Sequence, residues 1–285
     1  YYGQSGRAIL FLVSLAMVGL VAYRLLAWIN RLSSLARVGH TIDLVEARAL
    51  EALEMRRDSP FFGGRSGRLE RGAEVTAKAT GYVQNVDPER LQAVAKARDC
   101  HVEVVAVPGA FVRRGSILAR ISLAACDDEA QADFHSAFTL GDSRSFDQDP
   151  RFGLIVLGEI AAKALSPGVN DPGTAIQVTG TGVRLLDAWV QDGAKDRDQP
   201  LRDRVMGPAI EHEDLLEDVF GPIARYGAGD LVVALRLQKA LKTLATTPAL
   251  APAATALARE ALERSRIALP ITADVRRVEE AALSS

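Results

Sequence analysis

RFGLIVLGEIAAKALSPGVNDPGTA, residues 151–175, decides how this chain is built, because an apolar helix runs directly into a loop of turn and capping residues. Its first part, GLIVLGEIAAKAL, carries apolar residues on nearly every face, so the helix is expected at the centre of a domain, shielded all round. Asp149-Pro150 supplies its start, with a carboxylate that can cap and a proline suited to the first helical position. At the other end Pro167 cannot continue the helix, and Gly168 can take a positive φ. Asp171 can then cap a second helix that opens on Pro172. The segment accounts for itself as a rigid helix-helix corner. It also gathers small polar groups and backbone N–H donors at a helix N-terminus, which suits an anion, although Asp171 repels one there.

If the corner meets the preceding SRSFDQD in space, Arg144, Asp147, Gln148 and Asp149 join Ser166, Asn170, Asp171 and Thr174 in one candidate polar patch. Two readings of that patch compete. An internal arginine-carboxylate pair that locks the corner is preferred over a reactive site, since the patch offers only carboxylates for proton transfer.

Residues 151–175, taken with AFTLGDSRSFDQD at 137–149 and YGAGD at 226–230, resemble the bacterial family of predicted membrane proteins known as domain of unknown function 2254. Members of that family have no established activity, so the resemblance implies kinship and a membrane setting but no reaction. It also implies several membrane helices ahead of the soluble part. Because the sequence opens on Tyr1 rather than Met, the chain is read as the C-terminal piece of a longer protein.

Ala8 to Ile29 is interrupted by one charge, Arg24, and at about 1.5 Å per residue it is just long enough to cross a hydrocarbon core of roughly 30 Å. A transmembrane helix is therefore expected within residues 1–30. Arg24 can snorkel, and Tyr23 and Trp28 suit the interface. A secretory signal would have a shorter apolar run followed by a small-residue cleavage site. Arg31, Arg37 and Arg48 after the run, against Arg7 before it, place the C-terminal region in the cytoplasm and the protein in the bacterial cytoplasmic membrane. Cys100 and Cys126, widely spaced, fit a reducing compartment.

With 285 residues, 48% of them hydrophobic, the chain can bury a core of its own beyond that helix. A net charge of −2 and an aromatic content of 6% argue against nucleic acid as a partner. Expected partners are the lipid bilayer and further copies of the chain in a homo-oligomer.

Past the apolar run, residues 31–58 read as a juxtamembrane amphipathic helix. Leu35, Val38, Ile42, Val45, Ala49 and Ala52 form one apolar seam, covered either by the chain's own helical domain or by another subunit. Residues 61–125 read as a small β-rich module, with strands at 73–79, 81–86, 101–107 and 117–122 and a short helix capped at Asp87-Pro88. Within it, PGAFVRRG (108–115) before ILARI resembles the turn and strand of barrel-sandwich hybrids, the fold of biotinyl and lipoyl carriers. Lys78 and Lys96 nonetheless read as ordinary surface lysines, and no attachment site is expected.

From Asp127 the pattern turns helical. DDEAQADFHSAFTL is expected to run as a helix to a stop at Gly141, and residues 126–191 form a helical core around the SPGVNDPGT corner. After the charged linker QDGAKDRDQPLRDR, residues 205–285 read as a helical subdomain with helices near 211–226, 231–245, 252–268 and 273–283, the second capped by Asp230.

Catalytic signatures are thin. His40, His101, His135 and His212 show no metal-ligand spacing, and neither a phosphate-cradling lysine loop nor a nucleophile elbow is present. The expected fold is a membrane protein fragment of α+β class: one transmembrane helix, a small β-barrel-like module and an all-α C-terminal region. The expected function is transport- or channel-like, with a cytoplasmic gating or scaffolding domain and neither cofactor nor metal. Two alternatives stand beside it, a membrane-anchored enzyme using residues 143–149 and 166–174, and a pure scaffold.

Overall fold

Ile42, Val45, Ala49 and Leu53 recur at the spacing of one helix face, and all four are buried on α2 (Val38–Asp58). In the computed structural model, which describes residues 4–35, 38–191 and 200–282, the chain separates into two units that divide between Thr41 and Ile42.

The first unit is dominated by α1 (Gln4–Leu35), whose Phe11, Val18 and Leu26 are exposed. Among the described residues no helix is long and apolar enough to cross a membrane. This overturns the transmembrane helix expected over Ala8–Ile29. Arg24 sets a charge within that run, which a hydrocarbon core disfavours.

The second unit holds a β module and a helical core. After α2 and a 3₁₀ turn at Pro60–Gly63 come β1 (Arg65–Ser66), β2 (Ala73–Thr76) and β3 (Gly81–Val86). Next are α3 (Pro88–Ala97), β4 (Val102–Val104), β5 (Phe111–Val112), β6 (Ile117–Ile121), α4 (Asp128–His135) and β7 (Phe138–Gly141). Asp87 caps α3 by accepting from the Arg90 N–H at 3.0 Å. The helical core follows as α5 (Phe152–Ala164) and α6 (Pro172–Val190), interrupted by β8 (Val205–Gly207). It resumes with α7 (His212–Tyr226), α8 (Leu231–Leu244), α9 (Ala251–Ala268) and α10 (Thr272–Ala281).

The strands form a five-stranded sheet in the order β1-β8-β4-β6-β2 and a three-stranded sheet in the order β5-β3-β7. They do not close on one another, so the β-barrel-like expectation is corrected. Strands of two to six residues leave too little ladder to wrap round. The C-terminal region is not all-α either, because β8 pairs in parallel with both β1 and β4, with Val205 opposite Val102. A parallel partner needs a long crossover, which here is the intervening helical sequence. The helix expected to run to Gly141 stops at His135. Phe138 to Gly141 instead pair with β3, where Phe138 sits opposite Val86 in the apolar core of the module. The fold is mixed α/β.

In the helical core α2 supplies Ile42, Val45, Ala49 and Leu53 to a cluster shared with α5, α6, α7, α8 and α9. Helix α5 is not shielded all round, because Glu159 and Lys163, one turn apart, stay exposed along one edge. Its other sides are very close to their neighbours. A Cβ added at Gly153 would lie 2.3 Å from the Ala49 Cβ, and one added at Gly158 would lie 2.4 Å from the Asp218 carbonyl oxygen.

This contact gives a test by sign. Alanine normally improves a helix interior by about 1 kcal/mol over glycine, whereas overfilling a tight contact costs about 1–3 kcal/mol. Gly153→Ala is expected to lower the urea midpoint, while Gly180→Ala, exposed on α6, is expected to raise it. A stabilised Gly153→Ala chain would mean that α2 and α5 do not approach as described.

Candidate functional site

The entry to α5 is built on a buried carboxylate. Asp149, 2% exposed, accepts from Arg144 Nε at 2.8 Å and Nη2 at 2.6 Å. Its Oδ1 also accepts from the backbone N–H groups of Arg151 and Phe152, each at 3.2 Å. Asp149 thus satisfies the first donors of the helix although the N-cap position falls on Arg151, because Pro150 and Arg151 form the turn between them. Burial pushes its carboxyl above the ordinary range, against the opposing pull of the Arg144 charge and of the hydrogen bonds it accepts.

This point also meets the β module. At Gly109, φ +92°, a Cβ would fall 2.2 Å from Asp149 Oδ2 and 2.7 Å from Arg144 Nη2, so only glycine lets that loop lie against the pair. One residue earlier, Gln148 Oε1 accepts from the Val86 N–H of β3 at 2.9 Å. The Arg144 guanidinium lies 5.2 Å from the centre of the Phe152 ring, which packs on Phe146 at 4.6 Å. Asp147 is exposed and accepts from the Ser145 hydroxyl at 2.7 Å. Arg144 and Asp147 border an open groove of about 490 Å³ shared with Arg48, Glu51 and Gln84.

Arg151 makes the second tie. Its guanidinium holds both oxygens of Asp218 on α7, at 2.6 and 2.9 Å, and reaches Asp214 at 2.5 Å. The hydrogen bond to Asp218 is the main reason that its pKa rises above the usual arginine value.

The second half of the expected patch is a separate corner. The Asp171 N–H donates to the Ala164 carbonyl at 2.8 Å, and the Ser166 hydroxyl donates to the Lys163 carbonyl at 2.6 Å. Asn170 takes φ 48°, a left-handed conformation that asparagine tolerates. Asp171 caps α6 by accepting from the Thr174 N–H at 3.2 Å and from its hydroxyl at 2.6 Å. That hydroxyl, and then the backbone N–H, hold the Asp171 carboxyl below the usual range.

The two halves do not meet. The 13 residues of α5 separate them, a rise of about 20 Å, and among the described residues no hydrogen bond or ion pair links one to the other. Arg144, Gln148 and Asp149 converge at one end; Ser166, Asn170, Asp171 and Thr174 form the corner at the other. Among the described residues no three His, Cys, Asp or Glu groups converge to hold a metal ion.

Sequence reading missed Arg56. It is buried on α2 with its guanidinium 4.2 Å from the Phe62 ring centre, and burial lowers its pKa to about 10 although the Asp149 charge opposes the shift. Phe61 and Phe62 beside it have φ 53° and 60°, a left-handed backbone that costs on the order of 1–3 kcal/mol for each such residue. A signal was available. The apolar seam, followed one turn past Ala52 and Leu53, arrives at Arg56.

Comparison with known proteins places residues 1–243 in a match to the family described as "Predicted membrane protein (DUF2254)". The chain is similar to the uncharacterized protein Mb1321c of Mycobacterium bovis and the uncharacterized protein Rv1290c of Mycobacterium tuberculosis, 36% identical to each over 107 residues. That stretch is 36% of this chain and 20% of either relative, so the chain corresponds to a minor part of their length. No solved structure matches.

Two substitution series follow from the geometry. Asp149→Ala strands Arg144 and two backbone donors and is expected to cost about 3–5 kcal/mol, with Asp149→Asn, which still accepts, costing less. Because the folded pKa of Asp149 lies above its unfolded value near 3.9, its contribution is fully present below that pH and is lost as pH rises through the folded value. Urea midpoints of the parent chain relative to Asp149→Asn should therefore fall from about pH 4 toward neutrality; parallel pH profiles would contradict the burial argument. Asp171 has the opposite sign. Its contribution is present above its unfolded value and lost as pH falls through the depressed folded one. Asp171→Ala should lower the melting temperature, while Asn or Ser, which also cap, should stay close to the parent. An Asn variant that is stable yet inactive in the full protein would show that the carboxylate has a role beyond the cap.

Proposed function

We propose that this chain, which belongs to the DUF2254 family of predicted membrane proteins, supplies the gating or scaffolding part of a transport- or channel-like membrane protein, on the cytoplasmic side of the bacterial membrane. The Asp149 junction carries this reading. A single turn of chain holds the β module through Gln148 and the close approach of Gly109, and holds α7 through Arg151. Movement of either neighbour is thereby delivered to the start of α5, while Gly153 leaves α2 no slack against the same helix.

The chemistry of the junction supports coupling over catalysis. Its buried carboxylate, Asp149, is engaged by Arg144 and backbone donors, and the polar residues an enzyme reading would combine stand at opposite ends of α5. A base must lie within hydrogen-bond reach of the proton it removes, and no such pair forms across that distance. The exposed apolar side chains of α1, Phe11 and Leu26 among them, favour a lipid or protein cover over water, in keeping with the family description. Arg31, Arg37 and Arg48, which follow in the sequence, suit the anionic headgroups of a cytoplasmic leaflet.

Flux is the deciding measurement. The full-length protein in liposomes should pass ions or small solutes, and Asp149→Asn should change the open fraction at equal protein incorporation. Folded protein that passes nothing under any condition would remove the transport reading in favour of a scaffold. A reporter joined at Ser285 should be active in the cytoplasm; activity confined to a periplasm-dependent reporter would reverse the orientation.

A further inference from the structure

Arg56 is the one buried arginine whose guanidinium has no hydrogen bond or ion pair among the described residues. Its ring contact with Phe62 covers one face and leaves the N–H edge free. The carboxylate whose charge it senses, Asp149, is already held by Arg144. An arginine 9% exposed, with no ion pair or hydrogen bond of its own, is short of acceptors within the chain.

The edge borders a cavity of about 190 Å³, also lined by Ser59, Phe62, Gln148 and Arg202. Every polar side chain there brings a donor with no partner. Arg202 uses its Nη1 on the Phe62 carbonyl at 2.9 Å and its Nη2 on Glu89, yet its buried Nε–H is unpaired. Gln148 spends its oxygen on Val86, which leaves its NH₂ to donate. Ser59 makes no side-chain capping bond. The donors come from α2, from the turn after it and from two distant segments, so they converge from several directions. A planar carboxylate offers two oxygens in one plane; a tetrahedral oxyanion presents acceptors to all of them.

We propose that the cavity between Arg56 and Arg202 binds a phosphate group, carried either by a soluble phosphate ester or by a phospholipid headgroup. The architecture leaves room for both sources. Arg56 also lines a neighbouring cavity of about 300 Å³ whose walls include Phe61, Trp189, Val190 and Ile210. A lipid would seat its phosphate on the arginines and a chain segment among those apolar groups; a soluble ester would use the polar cavity alone.

The test uses the whole chain, titrated with inorganic phosphate against chloride at matched ionic strength and read by thermal unfolding and calorimetry. Saturable binding is expected, weakened at least about tenfold in Arg202→Gln and abolished in Arg56→Met. Without phosphate, Arg56→Met should be no less stable than the parent, since it removes a largely buried charge that has no ion pair. A parent chain that responds no more to phosphate than to chloride overturns the proposal, as do variants that respond like the parent. If Arg56→Met fails to fold by circular dichroism, Arg202→Gln and Ser59→Ala at the cavity edge decide, and parental affinity in both also overturns it. In a Trp28→Phe background, Trp189 emission then separates the sources. A change with short-chain phosphatidate but not with glycerol phosphate supports a lipid headgroup, and equal affinity with silent emission supports a soluble ester.

Discussion

A carboxylate taken out of water must be given both a counter-charge and hydrogen bonds, and meeting that requirement at Asp149 arranges much of the second unit. Arg144 supplies the charge and the first turn of α5 supplies two N–H donors. Fixing these groups fixes what surrounds them. Gly109 can approach because it has no side chain, Gln148 is turned toward β3, and Arg151 projects toward Asp214 and Asp218. One turn of chain, Gln148 to Arg151, thus ties sheet, α5 and α7 together.

The apolar contacts then hold what the ionic junction positions. Gly153 and Gly158 let α2 and the backbone of α7 approach α5 more closely than any side chain would allow, so dispersion is gained along the whole helix. Such contacts have little tolerance, and a shift of one element forces a shift in the next. That property suits a domain that relays or resists movement. It gives no particular advantage to a reaction, for which a positioned base and nucleophile matter more.

Polar groups that serve the fold and those left over from it can be told apart by their partners. Arg144, Arg151, Asp149 and Asp171 all have theirs within the chain. Arg56 and the Nε–H of Arg202 do not, and they line the same cavity beside two phenylalanines held in a left-handed backbone. Structural need explains the first group fully. It leaves the second without acceptors from the chain, which the proposed phosphate would provide.

Local signals alone determined the caps at Asp87, Asp171 and Asp230, the turn at 166–171 and the bounds of α7 to α9, because each depends on residues within one or two turns of helix. The apolar seam of α2 was legible for the same reason, though not what it covers. Pairing across the chain was decided only in three dimensions. β8 joins the sheet through a partner more than a hundred residues away, and Phe138 leaves a helical pattern because β3 offers it a core. The candidate patch shows the same division. Its two halves could be read as polar turns, but whether they met depended on α5, whose length keeps them about 20 Å apart. Arg56 was hidden most completely. An arginine at the end of an amphipathic helix ordinarily faces water, and only the packing of Phe62 and the surrounding elements buries this one, because burial is a property of the assembled neighbours and not of the residue.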